Sequence, residues 1–513
     1  MAATLHLDGS NLSLDAIRRL VGPENPSLAI RPAVRRRVAR AAGFVEEILA
    51  SGETVYGITT GFGRLANVRI GPEDLGRLQE KLIISHAAGV GDPLPIVEAR
   101  LAVAIRAATL AGGHSGVKPR TLDLLMALWN KGVTPVVPRQ GSVCASGDLA
   151  PLAHIALVLL GMGEAYSGTR KMGAGAALKR AKLKPITLGP KEGLALINGT
   201  SVATAILAHG LVQSQDLIRL ADVAAAMSLE ALQGTDKPFD PRVHALRPHP
   251  GQLATARNIK KLLRASRILP SHRKSDHKVQ DPYSLRCVPQ VHGASRDGLT
   301  FAKEVCEREL NAVTDNPILF PADGDVVSAG NFHGQHVALA ADTATLAVAE
   351  LGSISERRIE QMVNPDLSNL PAFLAQNPGL NSGFMMAQTT AAALVSENKT
   401  LCHPASTDSI PTSANQEDHV SMGMWAARKF RTVVGNVRHV LAIEFLAAAQ
   451  ALDFQELQPG KGVNAAWNAL RAKIPQLRRD RYLARDLRAA EEMLANGELL
   501  NAAESAAKRL ESF

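Results

Sequence analysis

Apolar and small residues run almost unbroken through four long stretches of the chain, 198–233, 336–362, 384–399 and 417–454, and the pattern predicts a helix over each. In the second, Val337, Ala338, Leu339, Ala340, Ala341, Leu346, Ala347, Val348 and Leu351 leave only Asp342, Thr343, Thr345 and Glu350 as polar interruptions. Helices apolar on nearly every face belong inside a bundle, and small side chains let them approach closely. The first 195 residues are patterned differently. Shorter helical runs such as 96–111 alternate with Gly and Pro, and β-branched runs at Thr54-Val55-Tyr56 and 133–137 read as strands. The Gly- and Lys-rich stretch 167–193 reads as a loop or hairpin before the first bundle helix. The expected fold is mainly α: a mixed N-terminal domain, 1–195, followed by a long helical bundle, 196–513.

Composition narrows the function classes. With 513 residues, 46% hydrophobic and 20% charged, the chain is neither disordered nor collagen-like. Its four cysteines, Cys144, Cys287, Cys306 and Cys402, are too scattered for a disulfide framework, and no Cys-x-x-Cys pair suggests a metal. The N-terminus lacks a basic region followed by a sustained apolar stretch. The longest apolar run, 152–163, contains His154 and is too short for a bilayer. A cytoplasmic protein without a membrane partner is expected. The formal charge of +9 raises the question of nucleic acid, yet aromatics make up only 4% of the chain, which supplies few stacking platforms. The charge is also local: 31–40 carries five cations and no acid, 167–193 seven against one, 251–280 eight against one, and 471–490 seven against two. These read as solvated faces, and no nucleic-acid partner is expected.

Several motifs are decoys. Gly61-Phe62-Gly63-Arg64-Leu65-Ala66 matches a dinucleotide pattern, but the residues after it do not open the helix a pyrophosphate needs. Neither Ser115 nor Ser146 lies in a G-x-S-x-G elbow. Ala145-Ser146-Gly147 is more informative. Ser146 could cap the helix that follows, and Gly147, lacking a Cβ, could bring its amide nitrogen close to a neighbouring carbonyl.

The surrounding segment GSVCASGDLAPL (141–152) resembles the signature of the aromatic amino acid ammonia-lyase family. So do VYGITTGFG (55–63), SHAAGVG (85–91), EGLALINGT (192–200), QDPYSLRCVPQVHG (280–293), DNP (315–317), GNFHG (330–334) and TSANQEDHVSM (412–422), so the resemblance spans nearly the whole chain. It implies an aspartase/fumarase-like helical fold and a homotetramer whose active sites are shared between subunits. It also implies a prosthetic group, 4-methylidene-imidazol-5-one (MIO), formed autocatalytically from Ala145, Ser146 and Gly147, with no dissociable cofactor and no metal. One departure stands next to the ring residues: the family usually has Gly where this chain has Cys144, whose side chain is expected to fill a gap.

The resemblance implies a role for each candidate residue, beside which a plainer reading stands. Tyr56 would be the base that takes the β-proton; alone it reads as a half-buried core tyrosine. Tyr283 would close over the site and Arg286 clamp the substrate carboxylate, with Gln280 and Phe332 on the pocket wall. Asn198 would contact the prosthetic group and substrate; alone it reads as an N-cap. Glu417, in a capping-box-like run, could merely compensate a helix dipole, and His86 could be a satisfied buried histidine. Together His86 and Glu417 favour L-histidine as substrate, deaminated without oxidation to trans-urocanate and ammonia, the first step of its breakdown. Two alternatives are a family member acting on tyrosine or phenylalanine, as lyase or aminomutase, and a non-catalytic basic scaffold. Lys274 and Lys278, just before the QDPYSLR loop, would draw a substrate carboxylate.

Overall fold

The computed structural model describes residues 3–61, 70–273 and 279–513. Positions 62–66 of the glycine motif, and Lys274 and Lys278, lie outside the described residues.

The chain divides into two compact units, one formed by Met1–Val212, Lys303–Asp342 and Pro404–Arg428, the other by Gln213–Ala302, Thr343–His403 and Lys429–Phe513. The first unit holds the small β-structure. A parallel pair joins Thr4–Leu7 to Ser27–Ile30, starting at Thr4 opposite Ser27. An antiparallel sheet runs Val133–Pro135, Glu164–Ser167, Arg170–Gly173, so the lysine-rich stretch contains the expected hairpin and then a short helix, Ala174–Arg180. Two further antiparallel pairs join Val90–Pro93 to Pro138–Gln140 and Ile318–Phe320 to Asp325–Val327. Around them pack the helices Ile96–Ala111, most of whose residues are buried, and Pro119–Asn130 and Leu149–Leu159, each more than half buried.

The second unit is helical, and two of its buried carboxylates are paired with arginines. Asp222, fully buried, accepts from Arg296 Nη2 at 2.7 Å, His292 Nδ1 at 2.8 Å and Asn258 Nδ2 at 2.8 Å. Glu444 likewise takes Arg358, Ser228 and Ser355. Buried charges persist where partners replace the lost hydration, as here.

Three of the four long helices lie close to their sequence expectation: Ser201–Ala231, Gln335–Val363 and Met385–Leu401. Gln335–Val363 and Gly423–Leu452 are long and apolar enough to cross a membrane, but their most apolar windows are 61% and 72% buried inside the protein, as core helices are. Several local expectations fail. The helix expected over 417–454 begins only at Gly423. Ser413, Ala414, Asn415 and Met422 have positive φ, which a right-handed helix cannot accommodate, so Glu417 lies outside any helix and has no dipole to compensate. Thr54-Val55-Tyr56 is no strand but leads into a turn, closed by Ile58 N to Val55 O at 3.1 Å and by Val55 N to Thr59 Oγ1 at 2.9 Å. Tyr283–Arg286 forms one helical turn, and the helix after it runs Val288–Leu310.

Candidate active site

A cavity of about 1320 Å³ in the first unit is lined by seven of the residues singled out in the sequence: Tyr56, His86, Ala145, Ser146, Asn198, Phe332 and Glu417. Gly147 is buried next to Ser146 and does not line it. Gln280, Tyr283 and Arg286 belong to the second unit and do not line it. Tyr283 is 70% exposed, with the Arg286 guanidinium 4.6 Å from the centre of its ring.

The Ala145-Ser146-Gly147 turn is clamped from three sides. Gly147, at φ +68°, pairs with Gly199, and a β-carbon on it would stand 2.2 Å from the Gly199 carbonyl oxygen. Only glycine fits there. Asp148 N donates to the same oxygen at 2.7 Å. The buried Asp148 carboxylate accepts from Val202 N and Ala203 N at 2.9 and 2.8 Å, capping the helix Ser201–Ala231. Burial outweighs those bonds and raises its pKa to about 6. The helix Leu149–Leu159 starts directly after the turn, so its positive end faces the tripeptide. Ser146 does not cap that helix. Its hydroxyl donates to Glu417 Oε1 at 2.8 Å, and Glu417 Oε2 accepts from Thr412 Oγ1 at 2.5 Å. Thr412 and Glu417 also exchange backbone hydrogen bonds, which fix the carboxylate over the turn.

Asn198 is not an N-cap. It ends the short helix Glu192–Ile197, its Nδ2 donates to Asn316 O at 3.1 Å, and its buried Oδ1 has no partner among the described residues. That oxygen can accept from a ligand N–H. His86 ends the helix Leu75–His86 with Nδ1 2.9 Å from the Leu82 carbonyl. A carbonyl only accepts, so Nδ1 carries the proton and Nε2 is left as an acceptor. Burial lowers the His86 pKa, against the opposing pull of the Leu82 carbonyl and Glu417, which favours the neutral ring.

A family model described as aromatic amino acid lyase matches residues 12–472. The chain belongs to the aromatic amino acid lyase family. It is 55% identical over 505 residues to a histidine ammonia-lyase of Anaeromyxobacter sp. (strain K), covering 97% of this chain and 99% of that protein. Among solved structures, histidine ammonia-lyase from Trypanosoma cruzi aligns with a TM-score of 0.91 at 43% identity, over 98% of this chain and 95% of that one. Tyrosine aminomutase from Streptomyces globisporus aligns at 0.93 and 37% identity, over 99% and 100%. This is the MIO-dependent family. The lyase fold is therefore the expected one.

In this lyase, Cys144 does fill a gap. It is fully buried at φ +56°, and its carbonyl accepts from Ser421 Oγ at 3.0 Å. A β-carbon on Gly334 would lie 2.4 Å from Cys144 Sγ, and one on Gly423 3.3 Å from it. Burial, aided by Asp148, pushes the thiol pKa well above its usual range, so it is neither a thiolate nor a competing nucleophile. Gly334→Ala should therefore cost about 1–3 kcal/mol as overpacking, and Cys144→Gly should relieve most of that cost. Chemical denaturation of both single variants and the double variant checks this, and strictly additive costs would refute the fit.

Sequence reasoning missed several residues here. His333 stacks on His419 with ring centres 5.9 Å apart and planes within 2°, and both line the cavity. Lys191, counted among surface cations, is fully buried and paired with Asp315 at 2.9 Å. Its position beside the apolar run 193–197 was the available signal.

Proposed function

We propose that this lyase converts L-histidine to trans-urocanate and ammonia in the cytoplasm, using MIO formed from Ala145, Ser146 and Gly147. The carrying observation is the Ser146 hydroxyl on Glu417, with His86 held as an acceptor in the same cavity. Names borne by relatives at more than 50% identity support the choice of substrate. The residues fit the group. The Gly147 position admits no side chain, and a helix N-terminus faces the turn.

The ring, once formed from Ala145, Ser146 and Gly147, would supply the electrophile that activates the amino group for departure. The chain's own residues do the rest. Tyr56 takes the β-proton, and Asn198 Oδ1 accepts from the substrate amine. Glu417 and His86 hold the imidazole, Glu417 as acceptor for a ring N–H. Phe332 walls the pocket. Because the sites are shared between subunits, Arg286 and Tyr283 of a neighbouring copy bind the carboxylate and close over the site, with Gln280 on its wall. The assembly is a homotetramer that shares its sites, for which Leu339, Leu346 and Trp425, each 45–50% exposed, supply apolar contact surface. The organisation into 1–195, carrying the ring, and 196–513 is part of the same reading.

Two measurements test it together. Intact mass should fall two waters below the sequence value, and purified protein should release urocanate from L-histidine. Cinnamate or coumarate formation in place of urocanate would overturn the substrate, and unmodified mass the chemistry.

A further inference from the structure

Arg106 is completely enclosed in the helix Ile96–Ala111, within the apolar run 101–111. Burial lowers its pKa to about 10, against the pull of Asp315 and Asp148, so the guanidinium stays charged at neutral pH. Enclosing such a cation is costly unless its donors are used. Both terminal nitrogens donate to backbone carbonyls, Nη1 to Thr314 O at 3.0 Å, and Nη2 to Asn198 O at 2.8 Å and to Ala195 O, while Nε has no partner among the described residues. Two of these oxygens lie at the end of the short helix Glu192–Ile197, where carbonyls lack helical partners.

Gly199 lies among those carbonyls. A β-carbon on it would stand 2.4 Å from Thr314 O and 2.6 Å from Arg106 Nη1. Its own carbonyl accepts from Asp148 N, and its backbone pairs with Gly147. The contacts therefore run from Arg106 through the Asn198 and Thr314 carbonyls to Gly199, and from Gly199 to Gly147.

We propose that Arg106 is a positioning residue for ring closure: by tying the Ala195, Asn198 and Thr314 carbonyls together it fixes Gly199, the floor on which Gly147 is held for its nitrogen to attack. This rests on the proposed function, because it presumes that the tripeptide cyclises. In that closure the Gly147 nitrogen bonds to the Ala145 carbonyl carbon. The carbonyl oxygen leaves as water with the Gly147 and Ser146 amide hydrogens, and a double bond forms between the Ser146 nitrogen and that carbon. A second water takes the Ser146 hydroxyl and its Cα hydrogen. No oxidant or co-reactant is needed. The planar guanidinium serves three acceptors from two nitrogens in a fixed fork, which a single ammonium cannot reproduce.

The test follows intact mass against time in freshly folded full-length wild type, Arg106→Lys and Arg106→Met, with circular dichroism and thermal midpoint recorded on the same samples. Wild type should be two waters short. Folded Arg106→Lys should close at least tenfold more slowly, and Arg106→Met more slowly still. A purely structural role would lower the midpoint but leave folded protein fully closed. If Arg106→Met does not fold, Arg106→Lys decides, and closure in it at the wild-type rate overturns the proposal. Wild type two waters short beside equally closed variants removes the role of Arg106 alone, whereas wild type at its sequence mass removes the proposed function and this role with it.

Discussion

Ser146→Ala will leave a folded protein with almost no turnover. Among the described residues the Ser146 hydroxyl makes one hydrogen bond, to Glu417, and it does not cap the helix Leu149–Leu159, which has no side-chain cap. Losing one half-buried hydroxyl bond costs on the order of 1 kcal/mol, too little to unfold a chain with a core of this size. The chemical loss is far larger. Without the hydroxyl the second water cannot leave and no exposed methylene can form, so the electrophile is absent however well the rest of the site is built. Removing a covalent catalytic group should cost about three orders of magnitude or more in kcat. Intact mass should then be no more than one water below the sequence value, with an unchanged circular dichroism spectrum. Turnover within tenfold of wild type would show that the tripeptide is not the electrophile.

How much of this was legible in the sequence depends on the range of the interactions involved. The helices Ile96–Ala111 and Gln335–Val363 end within a residue of their expected bounds, because an apolar periodic run encodes itself locally. The tripeptide was legible from its motif. Capping patterns misled, since they too are local and here lose to distant partners. The helix Ser201–Ala231 is capped by Asp148, more than fifty residues away, not by Asn198, and the capping-box-like run at 413–416 gives way to a Thr412–Glu417 bridge. Arg106 and Gly199 were invisible as site residues for the same reason. The Arg106 acceptors lie 89 to 208 positions along the chain, and a lone arginine in an apolar run signals a buried cation without saying what it holds.

Glu417→Gln should separate ring formation from substrate recognition. In the folded chain Glu417 Oε1 is occupied by the Ser146 hydroxyl, while Oε2 is held by Thr412. Once that hydroxyl has left as water, Oε1 has lost this donor at the moment the site becomes competent. The L-histidine imidazole carries an N–H that can replace it, whereas the rings of phenylalanine and tyrosine carry no N–H. A charge-assisted bond from that N–H to a carboxylate is worth about 1.5–3 kcal/mol, so glutamine, which keeps the shape but loses the charge, should lower kcat/KM for L-histidine roughly ten- to a hundredfold. The amide can still accept from Ser146, so the variant should still be two waters short, and its folding should be little changed. Slow turnover of phenylalanine or tyrosine, if measurable in wild type, should fall less than that of L-histidine. An equal fall for all three amino acids would place Glu417 in the chemistry common to them, and an unchanged kcat/KM for L-histidine would remove it from the site altogether.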